Sequence, residues 1–341
     1  MDGQNFSFPR WGTGEASDIV LQVTSELRRN LSSYAFPDAL DEEGRKTVAD
    51  SILAAAVDLP PFEGVDGMPP LRRKMFRDAG LLSDPQAGDR RLFCMDAGGW
   101  RWCLLLDRDH IAISGRCPGM ELKQSYVLAS EWEEILEKKL DFAFALDMGY
   151  LLSDISASGN ALFHSAWLFL PALGWNGNRE AIFRSLMEEG YWIRGNANGE
   201  NEEEEELFEI GTEYSFGMSE DESINKFAHM LELLVHYEKK TRRMIDQERL
   251  SLVKDRVFRA YGIAASAERI DAAEGHRLVL SLLLGVSFGL VKLPPERLVE
   301  LLWLAGDATV RFRNNGNPGV ERIDYIRSRL GIDRLIGGFD V

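Results

Sequence analysis

The sequence predicts an α+β fold followed by an all-helical C-terminal domain, on three observations. Strand-like and helix-like patterns are mixed from Ser17 to about Gln247. Beyond Arg249 almost every apolar spacing is helical. The chain has 341 residues and 45% hydrophobic content, enough for a large core spread over two domains of the usual ~100–200 residues. The expected organisation is a loose N-terminal arm over 1–16, an α+β domain over 17–247 and a helical domain over 248–341.

Met1–Ala16 is rich in Gly, Ser and aromatics without a clear period, hence the arm. Glu42–Val57 has helical spacing at Val48, Ile52 and Ala55–Ala56. Pro60, Pro61, Pro69 and Pro70 punctuate a loop, followed by the basic cluster Arg72, Arg73, Lys74 and Arg77, read as a solvated helix face. Trp100–Leu106 and Ile111–Ser114 read as paired strands around the turn Asp107–His110. Tyr126–Phe144 reads as a helix, with Leu128, Trp132, Ile135, Leu136 and Leu140 on one side. Leu162–Leu173 reads as a buried strand and Glu180–Glu189 as a helix. Tyr191–Arg194 and Leu207–Thr212 read as strands flanking the loop Gly195–Glu206. Ser219 and Glu222 form a capping box ahead of a long helix with Ile224, Phe227, Leu231, Leu234 and Val235 on its stripe. Val253–Tyr261, Ala272–Gly285, Pro295–Ala305 and Ile323–Leu330 are the expected helices of the C-terminal part.

The formal net charge is −16, which argues against a nucleic-acid partner or an anionic membrane, since both need basic patches. The apolar run near Leu278–Leu290 is broken by Ser281, Gly285, Ser287 and Gly289 and is too short for a typical ~20-residue span. Cys94, Cys103 and Cys117 lack paired zinc-site spacing, so no metal is expected. Free cysteines and the lack of a signal-peptide pattern suggest a reducing cytoplasm.

The segment Gly149–Leu173, GYLLSDISASGNALFHSAWLFLPAL, resembles the signature segment of the ATP:guanidino phosphotransferases (the phosphagen kinases), most closely that of the bacterial protein arginine kinases. Gly149, Tyr150, Leu151, Ser153, Gly159, Leu162, Ser165 and Leu170–Leu173 keep the frame without a gap. Ser17–Pro37, Leu104–Gly119 and Ile193–Thr212 also resemble family segments. Asp255–Gly262, DRVFRAYG, resembles the opening of the helical C-terminal domain of the protein arginine kinases. The resemblance runs from Ser17 to about Ile332. It implies a phosphagen-kinase (glutamine-synthetase-like) catalytic domain, an antiparallel sheet flanked by helices, and then a dimerisation-type helical domain.

The family's chemistry, as the resemblance implies it, requires arginines on the nucleotide phosphates, since phosphoryl transfer is mostly positioning and charge stabilisation. At the five arginine positions stand Thr24, Glu26, Ala112, Phe163 and Arg194. Only Arg194 survives, together with His110 on the nucleotide side. At ~1.5–3 kcal/mol per charge-assisted hydrogen bond, four losses amount to roughly 6–12 kcal/mol, against ~8 kcal/mol for micromolar binding. The turn reads Asp107–Arg108–Asp109–His110, with Arg108 where the substrate-binding glutamate is implied and Asp107 usable only if the turn shifts. Asp154 replaces the reactive cysteine. The loop Asn198–Glu206 carries five consecutive glutamates, Glu202–Glu206, which repel polyphosphate, although a charge run is commonly just a solvated loop. Of the implied phosphoarginine-reading motif only Arg322 aligns with a functional position, and a helix-surface cation is the plainer reading.

Other chemistry is weaker. Asp109, His110 and Ser165 lack a nucleophile elbow. His164 reads as a satisfied histidine, His229 and His236 lack a third metal ligand, and Trp100, Trp102 and Trp132 read as core. The leading expectation is a catalytically inactive protein-arginine-kinase homologue, without cofactor, that binds a protein partner: itself, as a dimer, or an active arginine kinase paralogue. The alternative is a divergent ATP-dependent protein arginine kinase using Mg-ATP, with Arg28, Arg29, Arg108 or Arg116 as replacement cations. A third reading is an adaptor that binds through its acidic loop. A link to stress response follows only from the resemblance.

Overall fold

The computed structural model describes residues 14–83, 90–175, 177–195, 206–313 and 318–334. Its elements, in chain order, are β1 (Val20–Arg29), α1 (Glu42–Ala55), β2 (Glu63–Gly64), α2 (Pro70–Asp78), β3 (Leu92–Met95), β4 (Arg101–Leu105), β5 (Ile111–Pro118) and α3 (Leu122–Glu137). Next come β6 (Phe144–Ala145), β7 (Gly149–Tyr150), β8 (Leu162–Phe169), α4 (Pro171–Trp175), α5 (Arg179–Glu188), β9 (Tyr191–Gly195) and β10 (Leu207–Thr212). The helices α6 (Glu220–Arg243), α7 (Gln247–Ser266), α8 (Ala272–Ser287), α9 (Pro295–Leu304), α10 (Asp307–Arg313) and α11 (Pro318–Leu330) complete the chain. The arm expected over Met1–Ala16 lies outside the described residues up to Thr13.

Eight strands form one antiparallel sheet in the order β2-β3-β4-β5-β1-β8-β10-β9. This is the α+β architecture that the sequence predicts. β1 lies centrally, between β5 and β8. A bulge between Val20 and Gln22 resets its alternation, after which Val23, Ser25, Leu27 and Arg29 turn to one face and Gln22, Thr24, Glu26 and Arg28 to the other. The first face is paved by α1, α3 and α6 through one apolar cluster. The second is covered by α2 and the C-terminal helices, which share a continuous core with Leu21, Phe93, Phe169 and Leu207 of the sheet. The part of the second face that these helices leave bare is the floor of a cleft.

Two glycine contacts fix local geometry. A Cβ on Gly115 of β5 would lie 2.1 Å from the Ser125 carbonyl oxygen, so α3 seats directly on the strand only because that atom is missing. Gly149 has φ +76° and a Cβ there would come within 2.2 Å of the Gly159 oxygen. Tyr150 and Gly159 exchange backbone hydrogen bonds of 2.7 and 3.2 Å at this spot.

Several elements differ from the sequence reading. The helix expected to reach Phe144 ends at Glu137, because Phe142 leaves to bridge Leu31. The strand expected to reach Leu173 ends at Phe169. Pro171 cannot continue a ladder, and the chain turns into α4, whose Ala172 and Leu173 amides donate to the Glu238 carboxylate at 3.0 and 2.9 Å. The helix α2 starts at Pro70 and carries the basic cluster read as a helix face, whereas α10 lies outside the expected helices. The capping box at Ser219 and Glu222 is present. Among the described residues no helix is long and apolar enough to cross a membrane.

Glu238 is fully buried, and Arg242 pairs with it at 2.7 Å while also reaching Asp18 at 2.7 Å. Removing one partner of a buried pair costs about 3–5 kcal/mol. Glu238→Ala is therefore expected to lower unfolding stability by that order, read as the shift of a urea midpoint.

Candidate functional site

The sheet register gathers the singled-out positions. Glu26 stands opposite Ser114 on β5 and Phe163 on β8. Thr24 stands opposite Arg116 and Ser165, and Arg28 opposite Ala112. Glu209 stands opposite Trp167 and Arg194. All of these line one cleft of about 1350 Å³, with Arg108 and Asp154 at the adjoining turns. Lys74 and Arg77 of α2, His276 of α8 and the corner from Leu301 to Asp307 form its other wall. The basic cluster of α2 is thus part cleft wall and part ion pairs, with Arg72 on Glu63 at 2.7 Å and Lys74 on Asp78 at 2.9 Å.

Nine carboxylates and six Lys or Arg side chains line the cleft, so its charge balance is acidic. The cations of the sheet floor are already engaged. Arg28 Nε donates to Glu26 at 2.6 Å and its guanidinium lies 4.4 Å from the Phe163 ring centre. Burial is the largest single influence on the Arg28 pKa and lowers it, but the charge and hydrogen bond of Glu26, with the charges of Asp109 and Asp107, together outweigh it and the net shift is upward. Ser114 Oγ donates to the second Glu26 oxygen at 3.2 Å. Arg116 is buried, donates to the Ala79 carbonyl at 3.1 Å and lies 4.7 Å from the Trp102 ring. Burial brings its pKa down to about 10, with Glu209 opposing, so it stays charged at neutral pH. Arg194 is 73% exposed, 3.9 Å from Glu209 and 5.4 Å from the Trp192 ring. Burial raises the Glu209 pKa against the pull of Arg194 and Arg116.

Arg108 is exposed at the cleft. Asp154 is exposed too and caps a short 3-10 turn by accepting from Ser156 N and Oγ at 2.9 and 2.6 Å. Those bonds lower its pKa first, with smaller contributions from Arg108 and Arg28. Asp107 does not stand free to serve as a base, because the buried Arg91 holds it at 2.9 Å.

Two expected site residues are placed elsewhere. His110 is fully buried and is not among the cleft-lining residues. Its Nδ1 accepts the Leu31 amide at 3.0 Å, and its Nε2 lies 3.0 Å from the Ala35 carbonyl as donor. With both nitrogens occupied, and burial lowering its pKa, it offers nothing to a nucleotide. Arg322 is neither a surface cation nor open to phosphoarginine. It is buried, donates to the carbonyls of Ala305 and Ile270 at 2.8 and 2.7 Å, and pairs with Asp307. Of the loop Asn198–Glu206, residues up to Glu205 lie outside the described set. Glu206 is no solvated residue, since it forms a two-pronged pair with Arg256 at 2.5 and 2.7 Å. Among the described residues no group of three metal-binding side chains occurs.

Sequence reasoning missed the node beneath the turn. Asp109 is buried, and its Oδ1 accepts from Asn30 Nδ2 at 2.7 Å and the Ser153 amide at 2.8 Å. Asn30 Oδ1 in turn accepts the His110 amide at 2.8 Å. The retained frame residue Ser153 is the available signal. His164, expected to be satisfied, is only half so. Its Nδ1 lies 3.0 Å from Ser25 Oγ, while Nε2 lacks a hydrogen-bond partner. Burial pushes its pKa down to about 3.

Comparison with known proteins follows the same lines. The family described as ATP:guanido phosphotransferase, C-terminal catalytic domain, matches residues 61–241. A protein-arginine kinase of Desulforamulus reducens is 27% identical over 341 residues, covering 96% of each chain. One of Symbiobacterium thermophilum is 28% identical, covering 94% of this chain and 96% of the relative. In solved structures, the duplicated taurocyamine kinase of Schistosoma mansoni with bound transition-state-analogue components superposes with TM-score 0.59 at 18% identity. That match covers 70% of this chain, which spans 35% of the length of the duplicated enzyme. A lombricine kinase gives TM-score 0.58 at 16% identity, covering 72% of each chain.

Two outcomes are expected. Asp109→Ala orphans the Ser153 N–H and leaves Asn30 Nδ2 only the Leu151 carbonyl at 3.2 Å, at about 1–3 kcal/mol for an orphaned group, and amide exchange at Ser153 should rise with the loss of stability. For His164 the folded pKa lies below the unfolded value of about 6.5. Only the unfolded chain then takes up a proton as pH falls, and stability is lost progressively from about pH 6.5 toward pH 3. His164→Asn should flatten that slope by about one proton in denaturation curves run across the window.

Proposed function

Because this chain belongs to the ATP:guanido phosphotransferase family, we propose that it is a protein-arginine-kinase homologue in which phosphoryl transfer has been given up and a binding or regulatory role remains. One observation carries this reading. At four of the five positions where the resemblance implies phosphate-binding cations, the cleft floor presents Thr24, Glu26, Ala112 and Phe163. The floor cations Arg28 and Arg194 lie against Glu26 and Glu209. A polyphosphate entering here meets carboxylates and aromatic rings on the sheet floor, and would have to break the pairs with Glu26 and Glu209 to reach Arg28 or Arg194. Neither Asp107, held by Arg91, nor exposed Arg108 supplies a free carboxylate at the turn. In this reading no Mg-ATP is required. The partner is a protein, another copy of the chain or an active paralogue, engaged with the helical part.

A second reading, a divergent ATP-dependent protein arginine kinase, is favoured by the names of the relatives, which are protein-arginine kinases. It is also favoured by an open cleft that keeps Arg28, Arg108, Arg116 and Arg194 on its walls. In that case Mg-ATP would lie on the sheet floor, and Arg28, Arg116 and Arg194 would have to exchange their present partners for phosphate oxygens.

The purified chain is expected to release no heat of binding with millimolar Mg-ATP and to leave no phosphoarginine on an arginine-rich protein. Mass-spectrometric detection of phosphoarginine above a no-enzyme control establishes the second reading and removes the first. Placing cations back, as in Glu26→Arg with Phe163→Arg, should strengthen nucleotide binding by about ten- to a hundredfold per regained charge-assisted contact.

A further inference from the structure

The three cysteines are all buried and reduced, and two of them face each other. Cys94 on β3 and Cys103 on β4 are direct partners in the antiparallel ladder. Directly opposed residues project their side chains to the same face, here toward the core under α1 and α3. The Asp96 amide donates to the Arg101 carbonyl at 3.0 Å, which marks that pair as a hydrogen-bonded one. Two residues along, Cys94 and Cys103 occupy the next pair of the same kind, where Cα atoms stand ~5.5 Å apart. Disulfides bridge Cα separations of roughly 4.4–6.8 Å, most often near 5.5–6 Å. Cys117 has no such partner. It lies on β5 four residues beyond Ile113, the residue opposite Cys103, or ~13 Å along the strand at ~3.3 Å per residue.

We propose that Cys94 and Cys103 are a thiol–disulfide modification site, closing reversibly into an intramolecular bridge between β3 and β4 with a small-molecule disulfide as the oxidant. One protein thiolate attacks the oxidant, forming a mixed disulfide and releasing the first small thiolate. The second cysteine, as thiolate, then attacks the protein sulfur of that mixed disulfide and expels the second. Two protein thiols lose their protons and two electrons, and one small disulfide is reduced to two thiols.

Access sets the rate. The two residues are 2% and 0% exposed, and burial, with Cys94 alongside, holds the Cys103 thiol well above its usual pKa. Thiolate therefore forms mainly when the strand opens. β3 has the two-residue β2 as its outer neighbour, a thin cover that suits transient opening. The bridge would also be felt at the cleft. Arg91, directly before β3, holds Asp107 of the turn after β4 at 2.9 Å, so the hairpin that the disulfide locks is the one that positions this turn.

The site goes beyond the functional reading above and is tested without any activity. The full chain is incubated with oxidised glutathione, in buffer and in urea below the unfolding transition, then alkylated and mapped by mass spectrometry. Expected is a Cys94–Cys103 linked peptide lighter by two hydrogen atoms, formed faster in mild urea, with Cys117 alkylated. Cys117→Ser should keep the link, and Cys94→Ser should abolish it and leave glutathione on Cys103. Absence of the link under both conditions, or links to Cys117 in equal yield, overturns the proposal, and the wild-type map decides this even if a variant fails to fold.

Discussion

The buried charge of Arg29 is the constraint on which the rest of this architecture depends. Its guanidinium is 1% exposed, pairs with Glu133 of α3 at 2.5 Å, approaches Glu220 of α6 at 3.7 Å and stacks on the Tyr150 ring at 3.5 Å. It also donates to the Arg28 carbonyl at 2.8 Å. An ion that far from water is tolerable only with its partners in place. Since side chains alternate along a strand, fixing Arg29 inward fixes the direction of the β1 residues back to the bulge at Gln22. Thr24, Glu26 and Arg28 face the cleft because Arg29 cannot.

That parity explains a cleft with the family's shape and a different chemistry. The inward residues of β1 answer to packing against α3 and α6, while the outward ones answer only to what occupies the cleft. The frame could persist while the floor changed. The floor now follows one repeated arrangement, in which an arginine lies on an aromatic ring with a carboxylate beside it. Arg28, Phe163 and Glu26 form one such set, and Arg194, Trp192 and Glu209 another. In the first, the guanidinium is hydrogen-bonded by the protein itself; in the second, it lies near its carboxylate at 3.9 Å and remains largely exposed.

Much of this was readable in the sequence, for reasons that differ by element. β4, β5, β9 and β10 announce themselves by apolar runs bounded by turn residues, and α6 by its capping box and stripe. The strand β1 carries no such signal, because its buried face includes Ser25 and Arg29 and its bulge breaks the alternation. The short helix α10 lacks a stripe. His110 and Arg322 were misread for one reason: what buries them is distant in the chain. Arg322 bonds carbonyls 17 and 52 residues away, and His110 bonds Leu31 and Ala35 across 79 and 75 residues. A charged or titratable side chain on a polar-looking segment shows no local trace of such partners. The gathering of Thr24, Glu26, Ala112 and Phe163 on one surface rests on strand register, which the resemblance implied and residue patterns alone did not.

The aromatic residues around the cleft have an optical consequence. Trp102, Trp167, Trp192 and Trp303 line it, four of the eight tryptophans in the chain. Trp167 of β8 and Trp303 of α9 meet edge to face with ring centres 4.8 Å apart, across the seam between the sheet and the C-terminal helices. Half of the tryptophan fluorophores of this protein therefore border a single cavity. A guest that displaces water there, or a shift of the helices against the sheet, would change the colour and intensity of their emission without any attached dye.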